Sequence, residues 1–123
     1  MYHLFLDDER MPQQVTWVQL PSLQDFPSKE WLIVRSFADF VDCIETKGLP
    51  LFISFDHDLG EVGNNEKSGF SCAKWLVDYC LDNNEICPDF QVHSKNPQGA
   101  SNIHGLLKGF QQFQNTKPHK VKP

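Results

Sequence analysis

Along the chain, short apolar runs alternate with charged or turn-forming stretches, and several runs stop abruptly at charge. Tyr2 to Leu6 is the first run, and it stops at Asp7-Asp8-Glu9-Arg10. Met11 to Glu30 holds three prolines and no clear period, so it is expected to be a long loop with at most a turn of helix. Trp31 to Val34 is a second short strand. Ser36 and Asp39 then form a capping-box-like start, followed by Phe37, Phe40, Val41 and Ile44 at helical spacing, and Gly48 ends the helix. Leu51 to Phe55 is continuous and apolar, as in a strand covered on both faces. Glu61 to Gly69 is a polar loop. A helix is expected from about Ser71, with Cys72, Leu76, Tyr79 and Cys80 on one face. Phe90 to His93 predicts a fourth strand and Ser94 to Gln98 a turn. A last helix carries Ala100, Ile103, Leu106, Leu107 and Phe110 on one face.

Strands that alternate with helices predict an α/β fold with a mainly parallel sheet of about four strands. Right-handed crossovers favour the spatial order 2-1-3-4, with helices expected on both faces. Residues 1–114 are expected to form one domain, and residues 115–123 a disordered tail.

Composition narrows the partners. With 123 residues, 40% apolar and 12% aromatic, the chain suffices for one domain with a real core. The formal net charge of -5 argues against duplex DNA, whose binders carry a basic face. No apolar run is long enough to span a membrane, and the N-terminus shows no basic leader, so a cytoplasmic location is expected. Cys43, Cys72, Cys80 and Cys87 show no C-x-x-C spacing and are expected to be free thiols, mostly buried.

The candidate chemistry follows from topology. Asp7-Asp8 ends strand one, Asp56-His57-Asp58 ends strand three, and His93-Ser94 ends strand four. In a parallel sheet of order 2-1-3-4 these ends share one edge, where such sheets bind ligands. Carboxylates gathered there raise one another's pKa unless a cation joins them. A hard divalent ion, Mg²⁺ or Mn²⁺, on Asp7, Asp8, Asp56 and Asp58 resolves that conflict and suits a phosphate ligand. His93 and His57 are candidate proton carriers, with Asp56 as a third catalytic candidate. Arg10, Ser94, Asn96 and Asn102 are candidate substrate contacts, Arg10 as a bidentate phosphate clamp. Asn102 stands out as a poor helix former early in a helix. Each residue also has a plainer use. Arg10 can pair with the strand-end acids, Asp58-Leu59-Gly60 and Asn96-Pro97 are ordinary turn signals, and His57 and His93 can be structural.

LDDER, SFDHDLG and VHSKNPQGASNI, in this order, resemble the cyclic-phosphate processing receiver domains, a divergent branch of the receiver-like (flavodoxin-like) sandwich folds. In receivers an acidic pair and a third aspartate hold Mg²⁺ around a phosphoryl group. The matching positions are Asp7 and Asp8, then Asp56 as phosphoacceptor, then Ser94 as the strand-four hydroxyl. The resemblance implies a metal-dependent phosphoesterase acting on a cyclic phosphate or phosphodiester, on a nucleotide or an RNA end. Its rivals are a signalling module phosphorylated on Asp56 and a non-catalytic nucleotide-binding sensor. Two receiver features are not read here: a fifth strand ending in a phosphate-contacting lysine, and a helix between strands one and two.

Overall fold

The computed structural model describes residues 2–18, 31–60 and 67–116. Its elements run β1 (His3–Leu6), a 3-10 turn (Pro12–Gln14), β2 (Trp31–Val34), α1 (Phe37–Lys47), β3 (Phe52–Phe55), α2 (Gly69–Asn83), β4 (Asp89–Val92) and α3 (Pro97–Thr116). All strand pairs are parallel and the order is β2-β1-β3-β4, as the alternation of strands and helices predicts. The 3-10 turn is the turn of helix expected in the proline-rich loop, whose residues 19–30 lie outside the described residues. So do 61–66 of the polar loop and 117–123 of the expected tail. α3 runs to Thr116 and so takes in the first two residues of the expected tail.

The caps explain the helix limits. The Ser36 side chain accepts the Asp39 amide, and Gly48, at φ 83, ends α1. Ser68 caps α2 through the amides of Phe70 and Ser71, so this helix begins at Gly69, before the expected Ser71. Asn84 closes α2 in the left-handed region, at φ 55.

The register sorts the strand residues by face. Leu6 pairs with Val34 and Phe55, and Phe55 with Val92. With Leu4, Ile53 and Phe90 they share one apolar cluster with Phe40 and Ile44 of α1, Cys72 and Leu76 of α2, and Ile103 and Leu107 of α3. Among the described residues the three α-helices therefore gather on that single face. Helix expected on the other face falls to the β1–β2 connection, whose residues 19–30 lie outside the described residues. β2→β3 and β3→β4 step across the sheet in the same direction, so right-handed crossovers put α1 and α2 on one side. Only β1→β2 steps the other way, and the described part of that connection, residues 7–18, carries the 3-10 turn. The opposite face bears His3, Phe5, Trp31, Phe52 and Ser54, with rings in tilted and edge contacts.

All four cysteines are free; Cys72, Cys80 and Cys87 are buried and Cys43 half-buried. Among the described residues no helix is long and apolar enough to cross a membrane.

Candidate functional site

The strand ladders continue one residue past the ends of β1, β3 and β4. The Asp7 amide donates to the Val34 carbonyl at 3.1 Å, Asp56 to Leu6 at 2.9 Å, and His93 to Phe55 at 2.8 Å. One step beyond the pairs Leu6–Phe55 and Phe55–Val92, the same register brings Asp7, Asp56 and His93 into line. Side chains alternate between faces, so all three point away from the helical layer. Ligand atoms from these three lie within 4.8 Å of one another.

Asp7 is fully buried and saturated with donors. Its Oδ1 accepts the amides of Glu9 at 2.9 Å and Arg10 at 2.8 Å. Its Oδ2 accepts from Arg10 Nη1 at 3.3 Å and from His93 Nε2 at 3.0 Å. Burial is the largest single influence on its pKa and pushes it up, but the two amides and His93 together outweigh burial and hold it below the usual value. Arg35, just past β2, donates to the carbonyls of Asp7 at 3.1 Å and Arg10 at 2.6 Å, fixing the turn that aims these groups.

His93 is also fully buried. Phe5 stacks on its ring at 4.6 Å, and its Nδ1 lies 2.7 Å from Ser54 Oγ. An ionised Asp7 can only accept, so the proton sits on Nε2, and the Ser54 hydroxyl donates to Nδ1. Burial lowers the His93 pKa despite the neighbouring Asp7, which keeps the ring neutral. Both nitrogens are committed and the ring is sealed from solvent. The structure thus places this proton-shuttle candidate behind Asp7.

Asp56 contrasts with Asp7. Among the described residues its Oδ1 accepts only the adjacent His57 amide at 2.8 Å, and its Oδ2 lies 3.9 Å from Arg10 Nη1, beyond hydrogen-bond range. Burial, then the charge of Asp7, push its pKa up to about 6. Asp8 is raised as well, by burial and then by Asp7. Asp58 is exposed, and its pKa is lowered chiefly by His57, whose Nδ1 lies 2.9 Å away. Two glycines make these approaches possible. A Cβ on Gly69 would fall on the Asp56 carbonyl oxygen; a Cβ on Gly60, at φ 66, would stand 2.8 Å from Asp8 Oδ2.

These groups surround an open cavity of about 600 Å³, lined by Asp8, Glu9, Arg10, Asp56, Asp58, Gly60, Ser94, Lys95, Asn96 and Pro97. Six predicted site residues therefore meet there: Asp8, Arg10, Asp56, Asp58, Ser94 and Asn96. Asn96 is also the cap of α3, accepting the Gly99 amide at 3.0 Å, and its Nδ2 reaches toward Asp58. Ser94 Oγ accepts the Asn96 amide at 3.1 Å, which leaves its hydroxyl proton available. Asp7 and His93 sit behind the wall. The His57 ring rests where a Cβ on Gly99 would be, at the rim beside Asp58. Asn102 is not brought to the cavity; it is exposed on α3 and accepts from Gln98 at 2.9 Å.

Sequence reasoning passed over Lys95 and Glu9, which line the cavity, and Trp17, whose indole N–H donates to the His93 carbonyl at 2.6 Å. Lys95 lies between two flagged residues, Ser94 and Asn96, and was legible by position. Trp17 falls in a loop without periodicity and gave no signal.

Among the described residues, Asp7, Asp56 and His93 form a group that could hold a metal ion. Asp8 and Asp56 line the cavity, and both have raised pKa values, caused first by burial and then by the charge of Asp7.

No curated protein and no solved structure matches this chain. A family description does match, for the cyclic-phosphate processing receiver domain, over residues 2–109. With the four-stranded parallel sheet and the acidic cleft at its carboxyl edge, that match over most of its length makes the chain a member of the cyclic-phosphate processing receiver domain family.

Proposed function

We propose that the protein is a metal-dependent phosphoesterase that opens a cyclic phosphate or cleaves a phosphodiester, on a nucleotide or an RNA end. The observation that carries this reading is the pair of carboxylates with raised pKa values, Asp8 and Asp56, facing a cavity that also presents Arg10, Ser94 and Lys95. Asp8 and Asp56 would hold Mg²⁺ or Mn²⁺, with Asp58 beside them. The bound ion supplies charge for phosphoryl oxygens and acidifies a water. Asp7 stays ionised under its four donors and keeps Arg10 at the cavity wall. Arg10 and the free proton of Ser94 are suited to phosphate oxygens. Proton transfer falls to His57, paired with Asp58 at the rim, because His93 is sealed and acts by orienting Asp7.

The test is turnover of a panel of cyclic nucleotides and of RNA ending in a cyclic phosphate, with Mg²⁺ and with a chelator. Metal-dependent cleavage is expected, lost in Asp56→Asn and reduced about 10²–10⁴-fold in His57→Ala, the scale of general acid–base catalysis. Cleavage that survives the chelator would move the chemistry to the histidines. Stable labelling of Asp56 by acetyl phosphate without turnover would favour the signalling module. Tight nucleotide binding without turnover would favour the sensor.

A further inference from the structure

Two cations of the cavity wall share one aromatic platform. The Arg10 guanidinium carbon lies 5.1 Å from the Trp17 ring centroid, and Lys95 Nζ lies 4.2 Å from it. Four carboxylates line the same cavity, yet among the described residues Lys95 forms an ion pair with none of them. An exposed ammonium beside a carboxylate cluster would ordinarily swing onto an acid. The indole face offers it a competing site through the ring quadrupole. The platform itself is fixed, because the Trp17 N–H is spent on the His93 carbonyl at 2.6 Å. Arg10 follows β1 and Lys95 follows β4, so Trp17 ties two strand ends together across the end of β3.

We propose that Arg10 and Lys95, held on the Trp17 ring, form the phosphate-binding wall of the cavity, with Trp17 as its positioning residue. This deepens the phosphoesterase reading and rests on it only for the identity of the site. The wall's function is to keep the Lys95 charge preorganised for an incoming anion instead of letting it collapse onto the acids, beside an Arg10 already anchored by Asp7. Lys95 would meet phosphate as a point charge, and Arg10 as a planar fork. The ligand class is a phosphate ester or inorganic phosphate, entering opposite Asp8 and Asp56.

Binding of inorganic phosphate tests this without requiring catalysis. Titrations are followed by NMR on the indole N–H signals, in Mg²⁺ and in chelator, with the Trp17 signal assigned by its loss in Trp17→Phe. Phosphate is expected to shift the Trp17 signal in at least one condition. Lys95→Met is expected to weaken phosphate by about tenfold or more, the scale of one charge-assisted contact. Lys95→Arg restores it. Trp17→Leu weakens phosphate similarly, while Trp17→Phe, which keeps a ring face, retains most of the affinity. Lys95 is exposed, so Lys95→Met keeps the test valid should Trp17→Leu fail to fold. Wild-type affinity in Lys95→Met would overturn the proposal, and so would the absence of phosphate binding in both conditions. Phosphate binding that depends on Lys95 and Trp17, without cleavage of any ester, would keep the wall and remove the phosphoesterase.

Discussion

The two faces of the sheet are built on opposite terms. On the helical face Leu4, Leu6, Ile53 and Phe55 are fully buried among apolar side chains of three helices. On the other face Phe5 is fully buried too, but its neighbours include Ser54, His93 and Asp7, joined in a line of hydrogen bonds. Both faces hold fully buried side chains at their centre. On one, that centre is apolar throughout. On the other it includes polar atoms, and each buried polar side-chain atom among the described residues has a partner. Such a network has strict geometric needs, because each buried donor or acceptor left unpaired carries a penalty. The helical face therefore carries stability, and the polar face carries the aim of the site.

The sharpest way to break that comparison is to truncate neighbouring residues of one strand. Phe55→Ala on the helical face should cost about 3–5 kcal/mol, the range for a buried aromatic, read from urea unfolding. Ser54→Ala, one residue away, should cost less, about 1–3 kcal/mol for leaving a buried nitrogen of His93 unpaired. Yet Ser54→Ala should disturb phosphate affinity more than a Phe55 variant does per unit of stability lost. Equal effects on both measurements would erase the distinction between the faces.

A second test uses pH. The folded-state pKa of Asp56 is raised from 3.8 to about 6. Below the lower value the group is protonated in both states and costs nothing. As pH rises toward about 6 the unfolded chain releases its proton first, so native stability falls, and the deficit persists at higher pH. Asp56→Asn should therefore raise Tm at neutral pH in chelator and make little difference near pH 4. Added Mg²⁺ should stabilise the wild type and leave the variant nearly unchanged. A mutant advantage that does not vary with pH would show that Asp56 is not held against its charge. Asp7 has a lowered pKa and makes the opposite contribution, stability that is lost as acid protonates it. The difference between wild type and the Asp56 variant separates the two.

The smallest effect is expected at Asn102. It is solvent-facing and bonded only to Gln98 among the described residues, so Asn102→Ala should change stability by no more than about 0.5 kcal/mol and leave turnover intact. A large loss of activity would return it to the site.

The sequence carried much of this architecture, and its failures have physical causes. Strand ends and chain order were enough to place Asp7, Asp56 and His93 on one edge, because handedness and parallel pairing leave few alternatives. Depth was harder to read. Whether a strand-end histidine meets solvent or packs behind an acid depends on its register against Ser54 and Phe5, two residues of other strands. His93 was accordingly legible as a member of the cluster but not as its buried support. Asn102 misled because a poor helix former suggests a contact, while on an exposed helix face it is tolerated at small cost. Trp17 was silent because loop residues have no period to betray their direction.

The site's placement also has a kinetic consequence. Asp8 and Asp56 follow β1 and β3, whose pairing joins distant parts of the chain, His3 against Phe52 through Leu6 against Phe55. Such non-local pairing must overcome loop-closure entropy before contacts reward it. The carboxylates meet only once that pairing exists, so their repulsion does not burden the early collapse. An ion needing both acids finds no partner in a chain whose β1 has not docked. Divalent metal should then act as a late lock: it slows unfolding and hardly changes the rate of refolding.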